Sequence, residues 1–158
     1  IEANKTGEHH RMLDDMIGTF KADMTMVNAP GAPPQKAEGR CVNSWMLDGR
    51  YVKTDFTGTF EGMDFKGVGF TGYSNADKEY QGIWMDSMST HIEYATGHAH
   101  DKALHMTTTM TDPLMGQQMN IDEMFTIQSR DQHTFTRKTV APNGVVVGEM
   151  TIVYTRID

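Results

Sequence analysis

From Ile17 to the end, turn chemistry recurs in this sequence at intervals of about ten to twenty residues. The interruptions are Pro30-Gly31, Asp48-Gly49, Glu61-Gly62, Ser74-Asn75-Ala76-Asp77, His100-Asp101, Asp112-Pro113, Arg130-Asp131-Gln132 and Pro142-Asn143-Gly144. Gly and Asn tolerate positive φ and Pro fixes its own, so a long helix cannot cross these points. The segments between them have roughly period-two character. The spacing predicts an all-β chain: one antiparallel up-and-down barrel of about ten strands. The strands are expected over residues 17–28, 36–47, 50–60, 64–73, 79–87, 91–99, 103–111, 118–128, 133–140 and 145–156.

Ahead of them, residues 1–6 read as a loose polar leader, and residues 7–158 as a single barrel domain. Between Gly7 and Met16, helix-compatible residues place Met12, Leu13 and Met16 on one stripe. The segment predicts one or two helical turns covering one end of the barrel. A ten-strand barrel is wider than an eight-strand one, and aliphatic side chains alone cannot fill it. The interior is therefore expected to be hollow, holding water and polar groups or a ligand. The mixed faces of the strands fit this: Tyr80, Gly82, Trp84 and Asp86 share one parity, and Gly148, Met150, Ile152, Tyr154 and Arg156 share another.

Charge narrows the partners. The net charge is −7 and no basic run exceeds Arg137-Lys138, which argues against nucleic acid and anionic membranes. No apolar stretch has the length of a membrane span. The start at Ile1 rather than Met leaves a removed leader open, and the compartment with it. Cys41 is the only cysteine, so neither an internal disulfide nor a multi-cysteine metal site is available. In the alternation Cys41, Asn43, Trp45 it reads as a small apolar packing residue.

Several groups of residues could carry chemistry. In Trp84-Met85-Asp86-Ser87-Met88-Ser89-Thr90 an indole and a carboxylate share a face just before a turn. Either Trp84 is an apolar wall for a ligand with Asp86 and Thr90 as orienting groups, or Asp86 bonds the turn's backbone and fixes the hairpin. Tyr154 and Arg156 share a face on the last strand and could hold a carboxylate, or Arg156 could be solvated near the C-terminus. Fourteen methionines suit an adaptable cavity lining, including Met150, or gap filling in an irregular core. With Trp45, these residues form the expected ligand-binding set. No metal site is expected; His98, His100 and His105 are weak candidates that could converge at one rim. There is no Gly-x-Ser-x-Gly, no phosphate loop, and Asp122 and Glu123 point to opposite faces, so no catalytic residues are assigned.

The segments Met16-Ile17-Gly18-Thr19-Phe20, Pro30-Gly31-Ala32-Pro33-Pro34, Leu47-Asp48-Gly49-Arg50-Tyr51, Gly72-Tyr73-Ser74-Asn75, Trp84 to Thr90 and Tyr154-Thr155-Arg156 are similar to a bacterial family known only as domain of unknown function fifteen seventy-nine. The resemblance implies a calycin-like barrel, shaped like lipocalins, fatty-acid-binding proteins and nitrobindin, and implies no activity. It also implies a basic residue near Asp122 and acidic ones near Thr136 and Thr151, from which this chain departs; if those family positions form a buried ionic cluster, it is expected to be lost here.

The leading expectation is a non-enzymatic barrel that binds a small apolar or amphipathic molecule inside. No cofactor is expected. One alternative is a nitrobindin-like haem barrel, with His91, His98 or His133 as the nominal ligand. The other is a homodimer or interaction module with an occluded cavity, joined through an exposed strand edge or apolar patch.

Overall fold

A computed structural model describes residues 1–158. Ten strands close into one antiparallel barrel: β1 (Gly18–Val27), β2 (Gln35–Met46), β3 (Tyr51–Phe60), β4 (Met63–Ser74), β5 (Glu79–Asp86), β6 (Glu93–His100), β7 (Ala103–Thr111), β8 (Gln118–Ile127), β9 (Gln132–Val140) and β10 (Val146–Arg156). Each strand pairs with its sequence neighbours, and β10 closes on β1 with Tyr154 opposite Ala22 and Met150 opposite Met26. The turns behave as their chemistry requires. Between Phe60 and Met63, Glu61 and Gly62 both take positive φ, at 50° and 77°, the two-residue geometry that matches the twist of paired strands.

Pairing propagates one inward parity around the whole barrel. It passes through Phe20, Cys41, Phe56, Gly67 and Asp86, and through Glu93, Met106, Glu123, Arg137 and Met150. Register is held firmly, because a slip of one residue would turn every apolar side chain outward. Met24, Met26, Met106, Met110, Met119 and Met150 face in, whereas Met85 and Met124 face out.

The N-terminal segment covers one end. It has the one or two turns expected: a single α turn, α1 (Glu8–Arg11), followed by a 3-10 turn at Asp14–Met16. Leu13 is fully buried there, packed with Val52, Tyr80, Ala95, Leu104 and Met106. Burying a leucine contributes about 2 kcal/mol, which is ample to hold so short a cap in place. The first residues are not a loose leader. Glu2–Asn4 forms a 3-10 turn, Asn75 Nδ2 donates to the Ala3 and Lys5 carbonyls, and Arg50 Nη2 to the Asn4 carbonyl.

The barrel is not an empty tube. Its capped half and middle are filled by Phe20, Phe56, Phe135 and Tyr154 with Phe125 packed against them, and Phe65 and Trp84 meet that cluster from the uncapped side. Aromatic rings supply the volume that aliphatic side chains could not. At the other end the inward side chains Met26, Phe60, Phe65, Trp84, Asp86, Met110 and Met150 keep partial exposure. One end is plugged, and at the other the inward side chains reach solvent. Closure leaves few unpaired strand groups, so a dimer through a free strand edge has little to use, apart from Glu93–Ala95, where the β6–β7 ladder has already stopped at Thr96 and Thr107. No helix is long and apolar enough to cross a membrane.

Candidate functional site

Beneath the uncapped end, three strands each place one ionisable group on the inward, otherwise apolar parity. Glu93 opens β6 ahead of Ala95 and Gly97; Glu123 sits between Ile121 and Phe125 on β8; Arg137 follows Phe135 on β9. Register sets Glu123 directly against Arg137, and Glu93 reaches the same guanidinium from β6. Arg137 Nη1 and Nη2 each donate to Glu93 over 2.8 Å, a two-point hold, and Nη1 also donates to Glu123 Oε2 over 3.1 Å. The second Nη2 proton points to Met110 Sδ at 3.9 Å. Glu123 Oε1 accepts no hydrogen bond from the protein.

Two buried carboxylates around one guanidinium leave a charge imbalance. Burial, then repulsion from Glu93, pushes the Glu123 carboxyl up to about 7, with Arg137 pulling only partly the other way. Burial works against the charge on Arg137, but Glu93 and Glu123 outweigh it and hold the guanidinium above its ordinary value. The cluster is thus partly protonated near neutrality and carries its surplus negative charge in full only at higher pH.

Trp84 lies beside it, directly opposite Glu93 in the β5–β6 ladder. A Cβ at Gly67 would fall 2.2 Å from Trp84 Cζ2, and one at Gly69 would fall 2.9 Å from Cε3. The indole therefore lies along β4 across two glycines, with its other face toward the lumen. Its Nε1 donates to Asp86 Oδ2 over 2.8 Å, while Asp86 Oδ1 accepts the Met88 N–H over 2.9 Å. Asp86 thus orients the indole and the turn together. Thr90 is exposed in the loop that follows β5.

The remaining candidates divide between the two ends. Met150 faces in, directly opposite Arg137, and joins the site. Trp45 is at the capped end, its Nε1 donating to Asp14 Oδ1 over 3.1 Å. Arg156 is buried there too. It donates to the carbonyls of Ile17, Asp15 and Arg130, meets Asp158, and lies 4.7 Å from the Phe20 ring centre. Tyr154 stacks on His133 at 4.5 Å, and Phe20 meets the same imidazole edge-on at 4.7 Å. Burial, then Arg156, pushes His133 down to about 4, and its Nδ1 has no partner. Tyr154 and Arg156 are thus part of the plugged half, far along the barrel from Trp84 and Asp86.

Among the other histidines, His98 and His105 face outward in register, His105 against Asp122, and His100 and His91 are exposed. A groove of about 200 Å³ lies between Thr96, His98, His105 and Thr107, and one of about 510 Å³ runs past Tyr94, Thr108, Asn120 and Val140. No three His, Cys, Asp or Glu side chains converge as a metal would need. A haem would require an imidazole nitrogen directed into open space. Inside the barrel only His133 is present, and it is enclosed by Tyr154 and Phe20.

Sequence reasoning missed the cluster. The expected loss of a buried ionic cluster concerned only the positions near Asp122, Thr136 and Thr151; Glu93, Glu123 and Arg137 form a buried ionic group at other positions. The signal was there: each is a charged residue on the apolar parity of its strand. Pairing Asp122 with Glu123 along the chain obscured the pairing of Glu123 with Glu93 through the lumen.

No curated protein matches the chain in sequence. Among solved structures, the S-type phycobiliprotein lyase CPES from Guillardia theta superposes with a TM-score of 0.66 at 10% identity, covering 99% of this chain and 96% of that one. Rv2717c from M. tuberculosis gives 0.66 at 11%, covering 98% and 100%. A redesigned beta barrel, b11L5F_LGL, gives 0.52 at 15%, covering 94% and 96%. At these identities the likeness is one of fold. Sequence carries the kinship further: over residues 5–156 the chain matches, and belongs to, the family described as protein of unknown function, DUF1579.

Proposed function

We propose that this barrel binds a small apolar or amphipathic molecule in the uncapped half of its interior, without catalysis. One observation carries the reading: a charged cluster is buried among apolar side chains immediately below an end where inward residues remain partly exposed. Buried ion pairs are weak sources of stability, because desolvation offsets most of their attraction. A cluster kept in such a place is better suited to recognition. Trp84, Met110 and Met150 supply an adaptable apolar wall beside it, and a few convergent polar groups in an apolar recess are the usual make-up of a ligand site. The phycobiliprotein lyase shares the shape of the barrel, which is compatible with an occupied interior. The haem alternative gains nothing from the positions of His91, His98 and His133.

The test uses Trp45→Phe, which leaves Trp84 as the only indole. Titration with a neutral naphthyl probe should quench Trp84 in a saturable way at one probe per chain. Native mass spectrometry should show the same stoichiometry. Absence of saturable quenching and of any bound mass would overturn the proposal.

A further inference from the structure

The chemistry of the site restricts the class of ligand, an inference that rests on the interior-binding reading above. Three carboxylates face into the uncapped half (Asp86, Glu93 and Glu123) against one guanidinium, that of Arg137. The strand lysines, Lys21, Lys36, Lys53, Lys66 and Lys138, all lie on the outward parity. Arg137 is already held at two points by Glu93. An anionic ligand would have to break that hold and then face two bare carboxylates.

A cation meets a different surface. The Glu123 side chain is only 10% exposed; its Oε1 accepts no hydrogen bond from the protein and still meets solvent, so it is free to accept a donor from a ligand. Arg137 keeps 20% of its side-chain surface, so the cluster remains within reach of solvent. The lumen face of Trp84 lies alongside, and the face of an indole attracts positive charge. The thioethers of Met110 and Met150 flank it with polarizable apolar surface.

We propose that the uncapped half of the barrel takes an organic cation with an apolar body, an alkyl- or arylammonium, whose charged head pairs with Glu123 and whose body lies against Trp84. The ammonium supplies the donor that Glu123 Oε1 lacks and balances the surplus carboxylate. A neutral alcohol satisfies the acceptor but not the charge.

Decylamine, decanol and decanoate, each below its micelle concentration, test this by calorimetry and by Trp84 fluorescence in the Trp45→Phe background. The amine should bind at least about tenfold more tightly than the alcohol, the gain expected of one buried hydrogen bond to a charged group. Glu123→Gln should bring the two within about twofold, whereas Glu38→Gln, an outer-surface carboxylate, should leave the preference intact. The unmodified chain gives a second arm. The charged groups around Glu123 are Glu93 from β6, Arg137 from β9 and Asp122 behind it on β8, with the Tyr154 phenol deeper on β10; β7 contributes none. Raising the pH from about 6 to about 8.5 ionises Glu123 while the ammonium stays charged, so amine affinity should rise about tenfold and alcohol affinity should not.

Equal binding of amine and alcohol, or a preference for decanoate, would overturn the charge inference and leave interior binding standing. No binding by any of the three would overturn both.

Discussion

Glu123→Gln should stabilise the protein above neutral pH, against the usual outcome of removing a partner from a buried ion pair. The folded carboxyl is raised from 4.5 to about 7. Between those values the folded state binds a proton that the unfolded chain has lost, so stability falls as pH rises through the window and stays lowered above it. A shift of that size corresponds to about 3 kcal/mol of destabilisation above pH 7. Glutamine keeps an acceptor for Arg137 Nη1 but loses the charge, which takes back about 1 kcal/mol. The net gain at about pH 8 is on the order of 2 kcal/mol, or a rise in Tm of roughly 4–8 °C for a chain of this size, shrinking toward zero near pH 4.5. Wild-type stability alone cannot show this. His133, pushed down to about 4, titrates with the opposite sign, since the unfolded imidazole binds a proton that the buried one refuses between about 4 and 6.5. The decisive quantity is the difference between variant and wild type, from urea denaturation at closely spaced pH values. A variant that is equally stable or less stable at pH 8, with a difference that does not vary with pH, would refute the reasoning.

Three further outcomes follow from the same structure. His133→Phe removes the unpaired Nδ1 and the acid-sensitive group, so stability at about pH 5 should rise by roughly 1–3 kcal/mol, while the change at pH 8 should be smaller; denaturant midpoints at the two pH values check it. Gly67→Ala drives a methyl into Trp84 at 2.2 Å, and should destabilise by about 1–3 kcal/mol with a shifted indole emission. Cys41 is 1% exposed, and burial followed by the nearby Asp55 pushes its thiol up to about 12, so maleimide should label it only on unfolding.

The ten strands were legible because turn residues and period-two alternation are local properties, readable from the chain as it stands. Every observed strand begins and ends within two residues of its expected limits. The apolar stripe of Met12, Leu13 and Met16 on the cap was readable for the same reason; that Leu13 is its buried member came from the structure. That Trp84 shares a face with Asp86, and Met150 with Tyr154, also followed from the sequence, because neighbours two apart must share a face; the register showed that this face is inward. What the sequence could not give was the distance between residues on different strands. Tyr154 and Trp84 both face in, yet they lie toward opposite ends. Only the closure of β10 on β1, and the register along each ladder, decided that Arg156 would cap a filled half while Arg137 would stand between Glu93 and Glu123. Side-chain alternation fixes which way a residue points; the three-dimensional winding of the sheet fixes what it meets there.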